Sequence, residues 1–310
     1  MCSSDLWLAM AAAMDRPDFE LPLAQRPAPR PPLVQRPKQL SVTAIRTLMR
    51  DPYAIYASRV LGLHPLAPLR PAPDPLLRGQ VLHRILEVFA RNRVPDSDTD
   101  TNARAHLMAA TDAVLAEEVA WPTTRALWRA RMDRAADFFL TEDARHGGRP
   151  ILLEERMGLD FPTMAFRLTA QPDRIDVLPD GRLRVIDYKT GALPTQKQQK
   201  AFDVQLLLEA CMAERGAFGP DLPTDVASVA YVGLGSKAEI AETLITPDLL
   251  EKVWADLHRL LLAYANPAQG YAARRALVLE DDVGNYDHLA RFGEWRMTDV
   301  AMPVDVGGGA

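Results

Sequence analysis

The chain has 310 residues, 48% of them hydrophobic and 25% charged, with a formal net charge of −5. It can bury a substantial core, but it lacks the basic excess of a free-standing nucleic-acid-binding protein, so any grip on phosphates must be local or lent by a partner. Cys2 and Cys211 are too few for a disulfide framework, or for a zinc or iron–sulfur site made by cysteine alone. No apolar run has bilayer length and no basic flank precedes Leu6 to Met14, so the expected setting is cytoplasmic, with no membrane partner.

In chain order, residues 1–15 read as part of a helix. Residues 16–38 carry seven prolines, from Pro17 to Pro37, with Arg26, Arg30, Arg36 and Lys38 between them. That is the composition of an extended, polyproline-like linker. Such a linker predicts a further unit upstream. Residues 1–39 are thus expected to be a residual segment and linker, 40–295 the folded domain, and 296–310 a C-terminal tail, frayed from Val304 through Gly309. Ser41 or Thr43 can cap a first short helix, and Pro52, at a first helical position, starts another through Tyr53, Tyr56 and Leu61. After a Pro-rich loop, an amphipathic helix over 76–92 aligns Leu82, Ile85, Leu86 and Phe89, with His83 beside that stripe, one turn after Gly79. Two more long helices are expected over 101–119 and 124–145; their Trp121, Trp128, Phe138 and Phe139 read as core and not as stacking platforms for bases.

Strands are expected at about 151–160, 164–171 and 226–233, with helices at 197–215 and 247–265. The strand–helix–strand crossover predicts an α/β fold: a mixed central sheet flanked by helices, with a helical N-terminal part.

The most informative stretch runs from Thr169 to Gly191. Two runs rich in Val, Ile and Leu flank Pro179-Asp180-Gly181, a turn signature, and read as a β-hairpin. With those three residues in the loop, Asp173 lies across from Asp187, Ile175 from Val185 and Val177 from Leu183, unless Pro172 introduces a bulge. The strand period then puts Asp173, Asp187 and Lys189 at the end of one apolar face. Arg174, Asp176, Arg182 and Arg184 fall on the other, which is expected to face solvent.

Two carboxylates on a rigid sheet can hold a hard divalent cation such as Mg²⁺ through oxygen. An adjacent ammonium can orient the attacking water and offset phosphate charge, so the trio suits metal-assisted phosphodiester hydrolysis. Alone, Asp-x-Lys on a strand is more often a surface ion pair, and a lone His83 more often a satisfied core residue. Gln205 opens an apolar helix beyond the hairpin. Glu154 and Glu155 lie on the preceding strand, where an exposed ion pair is the plainer reading.

Taken together, Gly79-x-x-x-His83, Asp173, Asp187-Tyr188-Lys189-Thr190-Gly191 and Gln205 resemble the PD-(D/E)XK (restriction-endonuclease-like) nucleases of the RecB type. Leu40-Ser-Val-Thr43, Asp51-Pro-Tyr-Ala-Ile-Tyr56, Pro172-Asp-Arg-Ile-Asp176 and Gln205-Leu-Leu-Leu-Glu-Ala210 are similar, more narrowly, to the AddB-type nuclease domains of bacterial AddAB helicase–nucleases, in their alphaproteobacterial branch. The resemblance covers residues 40–290. It implies that Asp173 and Asp187 bind Mg²⁺ (Mn²⁺ as a substitute), with His83 touching the metal site and the Tyr188 backbone carbonyl a further ligand. Lys189 would handle the water and Gln205 would brace the lysine and phosphate. It also implies DNA and an AddA-like subunit as partners. The chain departs from the pattern at Ala170, where a Gly often stands, and at Glu209, in place of a Tyr. It also lacks the cluster-holding cysteines of some relatives, so no iron–sulfur cluster is expected.

Two classes of function remain: a Mg²⁺-dependent DNA nuclease working in double-strand-break repair, or a non-catalytic module that keeps the fold to hold DNA or a helicase. Kinase and P-loop readings fail, since no His-Arg-Asp or Asp-Phe-Gly follows Lys189 and Gly233-Leu-Gly-Ser-Lys237 has the wrong spacing. Lys197 and Lys200 either meet phosphates or mark a solvated helix start.

Overall fold

The computed structural model describes residues 3–16, 22–66, 68–92, 100–201, 203–219, 222–276 and 283–307. An exposed helix, α1 (Ser3–Met14), comes first, followed by β1 (Pro27–Arg30) and β2 (Gln39–Ser41). Next is α2 (Val42–Arg50), whose first turn is capped by the Ser41 hydroxyl accepting from Ala44 N–H at 3.1 Å. Pro52 opens α3 (Pro52–Ile55), which continues as one π turn through Val60. Three long helices pack together: α4 (Pro75–Asn92), α5 (Asp100–Glu118) and α6 (Pro122–His146), the last ended by Gly147 in the left-handed region. Then come β3 (Arg149–Leu153), β4 (Met157–Phe161), β5 (Phe166–Ala170), β6 (Arg174–Val177) and β7 (Leu183–Lys189). The chain proceeds through α7 (Gln196–Ala201), α8 (Gln205–Glu214), β8 (Val226–Leu234), β9 (Ala238–Leu244), α9 (Pro247–Ala265) and β10 (Met302–Asp305).

The architecture is α/β with mixed sheets. The main sheet has the order β3-β6-β7-β8-β9, with β7 and β8 parallel across the α7–α8 crossover and the other pairs antiparallel. A second sheet has the order β2-β5-β4. Both faces of the β6–β7 hairpin are covered. Ile175, Leu183 and Val185 pack with Ile45 of α2, Leu206 and Met212 of α8 and Leu257 of α9. Ile186 and Tyr188 pack oppositely, with Ile85 of α4, Leu107 of α5 and Phe139 of α6. Each such side chain contributes about 1.5–3 kcal/mol when fully buried. A one-residue slip would exchange the two sets, so the register is held from both sides.

The hairpin register is the expected one, Ile175 opposite Val185 and Val177 opposite Leu183. The irregularity foreseen at Pro172 lies instead in β3, where the pairing to β6 shifts between Pro150 and Leu152. The charged face, however, is not solvated. Arg174, Asp176 and Arg184 are buried, because the α4–α6 layer covers them. Arg174, only 2% exposed, pairs with Asp143 of α6 at 2.7 Å and with Asp176 at 2.6 Å, and Arg184 pairs with Glu242 of β9 at 3.1 Å. Only Arg182, in the loop, meets solvent as expected.

Other expectations shift too. The strand expected at 151–160 is two strands in different sheets, parted at Glu154, whose φ of 52° turns the chain from one sheet to the other. The helix expected at 197–215 is two, broken before Gln205. The edge strand β9 escapes sequence reading because it is mostly half-buried and carries Glu239 and Glu242 among small residues. From Pro22 on, the Pro-rich stretch is mostly extended, with one 3₁₀ turn at Leu33–Gln35, but it is bound to the body rather than spanning solvent. Prolines lack N–H yet keep their carbonyls, and those of Pro27 and Pro29 accept from Ala273 N–H and Tyr271 N–H. The Arg36 guanidinium donates to the carbonyls of Tyr264, Asn266 and Pro267 at 2.8–3.0 Å. The C-terminal segment, expected to fray, pairs as β10 in parallel with β1. Among the described residues, no helix is long and apolar enough to cross a membrane.

Candidate active site

The hairpin delivers its acidic end beneath α4 and beside α8. Asp173, immediately before β6, has one oxygen fixed by the Tyr188 backbone N–H at 2.7 Å. That bond ties the two strand ends together, so the carboxylate cannot swing away. Asp187 is 2% exposed, and its Oδ2 lies 2.5 Å from Lys189 Nζ. Lys189 closes β7 with a side chain 32% exposed, its ammonium 5.6 Å above the Tyr231 ring of β8. The strand period puts Asp187 and Lys189 on one side, as expected.

His83 reaches in from α4. Its Nδ1 lies 3.1 Å from Asp173 Oδ1 and 3.3 Å from Glu154 Oε1, and its Nε2 donates to the Tyr188 carbonyl at 3.0 Å. Burial pulls the imidazolium down, but the hydrogen bonds to Asp173 and Glu154 outweigh it and raise its pKa to about 10. From α8, the Gln205 amide nitrogen donates to Asp187 Oδ1 at 3.2 Å and to Glu209 Oε1 at 3.3 Å. With both amide hydrogens committed to carboxyl oxygens, the orientation of the amide is dictated by chemistry.

The electrostatics are those of a site crowded with carboxylates. Burial and the Asp173 charge push Asp187 up to about 6, against the pull of Lys189 and His83. Glu209, 1% exposed, is raised well above the usual carboxylate range by burial and then by Asp187 and Asp173. Its Oε2 has no hydrogen-bond partner among the described residues. Ionising all of these carboxyls together is therefore costly, a condition that a bound cation relieves. The donor set fits a hard divalent ion: ligand atoms of His83, Glu154 and Asp173 lie within 4.8 Å of one another, and the charge of Asp173 is felt at Asp187.

All the sequence-derived candidates converge here: His83, Asp173, Asp187, the Tyr188 carbonyl, Lys189 and Gln205. Two contacts differ from expectation. The Tyr188 carbonyl is engaged by His83, and Gln205 reaches Asp187 and Glu209, with no hydrogen bond to Lys189 among the described residues. Sequence reading undervalued Glu154, whose second oxygen accepts from Gln171 at 3.1 Å, and passed over Tyr231. The available signal for Glu154 was a carboxylate closing an apolar run just ahead of the Asp173 strand. Lys197 is exposed on α7, and the side chain of Lys200 lies outside the described residues.

The profile of the PD-(D/E)XK nuclease superfamily matches residues 39–279. The chain belongs to that superfamily. An uncharacterized protein of Rickettsia bellii is 24% identical over 272 residues, 81% of this chain and 32% of the relative. A subunit of the ATP-dependent helicase/deoxyribonuclease of Streptococcus equi subsp. zooepidemicus is 28% identical over 166 residues, 51% of this chain and 14% of its own. A solved structure from Eubacterium rectale superimposes on 82% of this PD-(D/E)XK chain and 93% of its own, with a TM-score of 0.42 and 11% identity. The chain thus spans a third or less of the length of these two curated relatives.

Proposed function

We propose that this chain is the Mg²⁺-dependent deoxyribonuclease part of a helicase–nuclease, cutting one strand during the processing of double-strand breaks, as an exonuclease working beside an AddA-like helicase subunit. The observation that carries this reading is the meeting of Asp173, Asp187 and Lys189 at one hairpin end with His83 and Glu154 opposite. The superfamily match and the similarity, over half the chain, to a subunit of a helicase/deoxyribonuclease support it.

Asp173, Asp187, Glu154 and His83 would hold the ion, with the Tyr188 carbonyl available once His83 turns from it. The metal, when bound, supplies Lewis-acid polarisation of the phosphate and a water of lowered pKa. The chain's own groups do the rest. Lys189, paired with Asp187 but open to solvent, donates to the phosphate or to the attacking water. Gln205 fixes Asp187, and Glu209 fixes Gln205. His83 is protonated while both ring nitrogens donate, so loading the metal requires it to release a proton or rotate.

The test is incubation of the purified chain with linear single-stranded DNA and Mg²⁺. Cleavage is expected, and expected to vanish in Asp187→Ala and Lys189→Ala. Cleavage surviving in both variants would remove these residues from the mechanism. Calorimetric titration with Mn²⁺ separates this reading from an inert module, which would bind no ion.

A further inference from the structure

A chain of net charge −5 needs a local basic surface to hold a polyanion. One cleft supplies it. It has a volume of about 490 Å³ and lies along the solvent side of α2, bounded by the chain around Arg59 and Tyr286. Four arginines, Arg46, Arg50, Arg59 and Arg274, line it, against a single acidic residue, Asp51, among the described residues.

The helix is built for this. Val42, Ile45 and Leu48 bury one face of α2 in the core, which leaves Thr43, Arg46, Thr47 and Arg50 on the other, repeating at about one turn or 5.4 Å. Arg274 is held by Asp287 and is a fixed wall of the cleft. Asp51 is engaged by the Arg274 N–H at 3.0 Å, and burial raises its pKa, which weakens its claim on the other arginines. Arg59 is exposed and has no ion-pair partner among the described residues.

The cleft also connects to the catalytic end. Arg46 pairs with Asp203 at 3.4 Å, Asp203 accepts from the Tyr231 hydroxyl at 3.0 Å, and the Tyr231 ring underlies Lys189. The cationic face of α2 therefore begins two side chains away from the lysine of the proposed site.

We infer that this cleft is a subsite for the sugar-phosphate backbone of single-stranded DNA, receiving the stretch of strand that flanks the phosphate being cut. Arg46, Arg50 and Arg59 contact successive phosphates, and Thr43, Thr47 and Ser58 add hydroxyls between them. The volume is that of a small-ligand cleft, about 300–1,000 Å³, which suits nucleotides of one strand. The inference rests on the nuclease reading for its substrate, but not for its test.

That test is binding without cleavage. Fluorescence anisotropy of a labelled single strand is followed in EDTA, so that neither metal nor hydrolysis enters, across a salt series. Arg50→Ala/Arg59→Ala is expected to weaken binding about tenfold near 0.1 M salt and to make the slope of log K against log salt shallower by about 1.4, the share of two phosphate contacts on a single strand. Lys252→Ala/Arg259→Ala on α9 removes the same charge from another exposed surface and is expected to change affinity less than twofold. Should the double variant misfold by circular dichroism, Arg59→Ala alone, at an exposed position, should flatten the slope by about 0.7. Wild-type affinity in the cleft variants, an equal loss in the α9 variant, or no single-strand binding by the parent chain would each overturn the inference. Loss of hydrolysis alone would not touch it.

Discussion

The two faces of the β6–β7 hairpin each carry buried charge, and they use it in opposite ways. On the helical side, Arg174 meets Asp143 and Asp176, and Arg184 meets Glu242, so the opposed charges are matched at 2.6–3.1 Å. On the other side, Asp173, Asp187 and Glu154 have only His83 and Lys189 as cationic partners among the described residues, with Glu209 buried beside them. In the first cluster Arg174 is held by both Asp143 and Asp176, which ties α6 to the sheet. The second is left with negative charge in a buried place, which lowers stability and creates affinity for a cation. The same strands thus support a closed network and an open one, separated by the thickness of the backbone.

The contrast can be broken most forcefully at the open end. Asp187→Ala or Lys189→Ala should reduce DNA cleavage by about 10³-fold or more, while the Asp187→Ala melting temperature in EDTA stays level or rises, because a desolvated carboxylate has gone. A fall in that melting temperature comparable to the loss at Arg174 would erase the distinction. On the closed side, Arg174→Met should destabilise the fold by about 3–5 kcal/mol in urea unfolding, since Asp143 and Asp176 lose their shared buried partner.

Smaller effects sharpen the boundary of the open cluster. Glu154→Ala should weaken Mn²⁺ binding by about 10–100-fold in calorimetry; unchanged affinity would return Glu154 to the role of an ordinary ion pair. The pH response follows from His83, whose pKa is raised from 6.5 to about 10. Its stabilising contribution without metal is complete below about 6.5 and lost as pH rises through about 10. Asp187, raised from 3.8 to about 6, acts in the same direction at lower pH: its contribution is complete below 3.8 and lost through about 6. In EDTA, unfolding free energy should therefore decline between pH 7 and 10 more steeply for the parent than for His83→Gln. Parallel curves would show that His83 does not hold its proton against Asp173 and Glu154.

Much of the site was legible because a strand alternates with period two. Asp173, Asp187 and Lys189 fall on one side of a hairpin whose loop is marked by Pro179, Asp180 and Gly181, and no tertiary information is needed to say so. His83 and Gln205 were reachable only through a resemblance, since a lone histidine on a helix or glutamine at a helix start carries little local signal. Glu154 reads from sequence as an exposed ion pair; it lies at a break with positive φ, where the strand period stops predicting direction. Glu209 looked like a departure from a motif; only its burial against Gln205 gave it a place.

The sequence by itself determined the hairpin and the helix faces, because those depend on periodicity. Tertiary structure alone decided which charges are buried. Arg174 and Asp176 alternate with apolar neighbours like any solvated strand face, and nothing local reveals that α6 will cover them. The Pro-rich stretch likewise has the composition of a free linker, yet its carbonyls find donors around Tyr271 and Ala273, more than 240 residues away. Burial and long-range pairing depend on what packs across a strand, and that partner is not written in the strand's own residues.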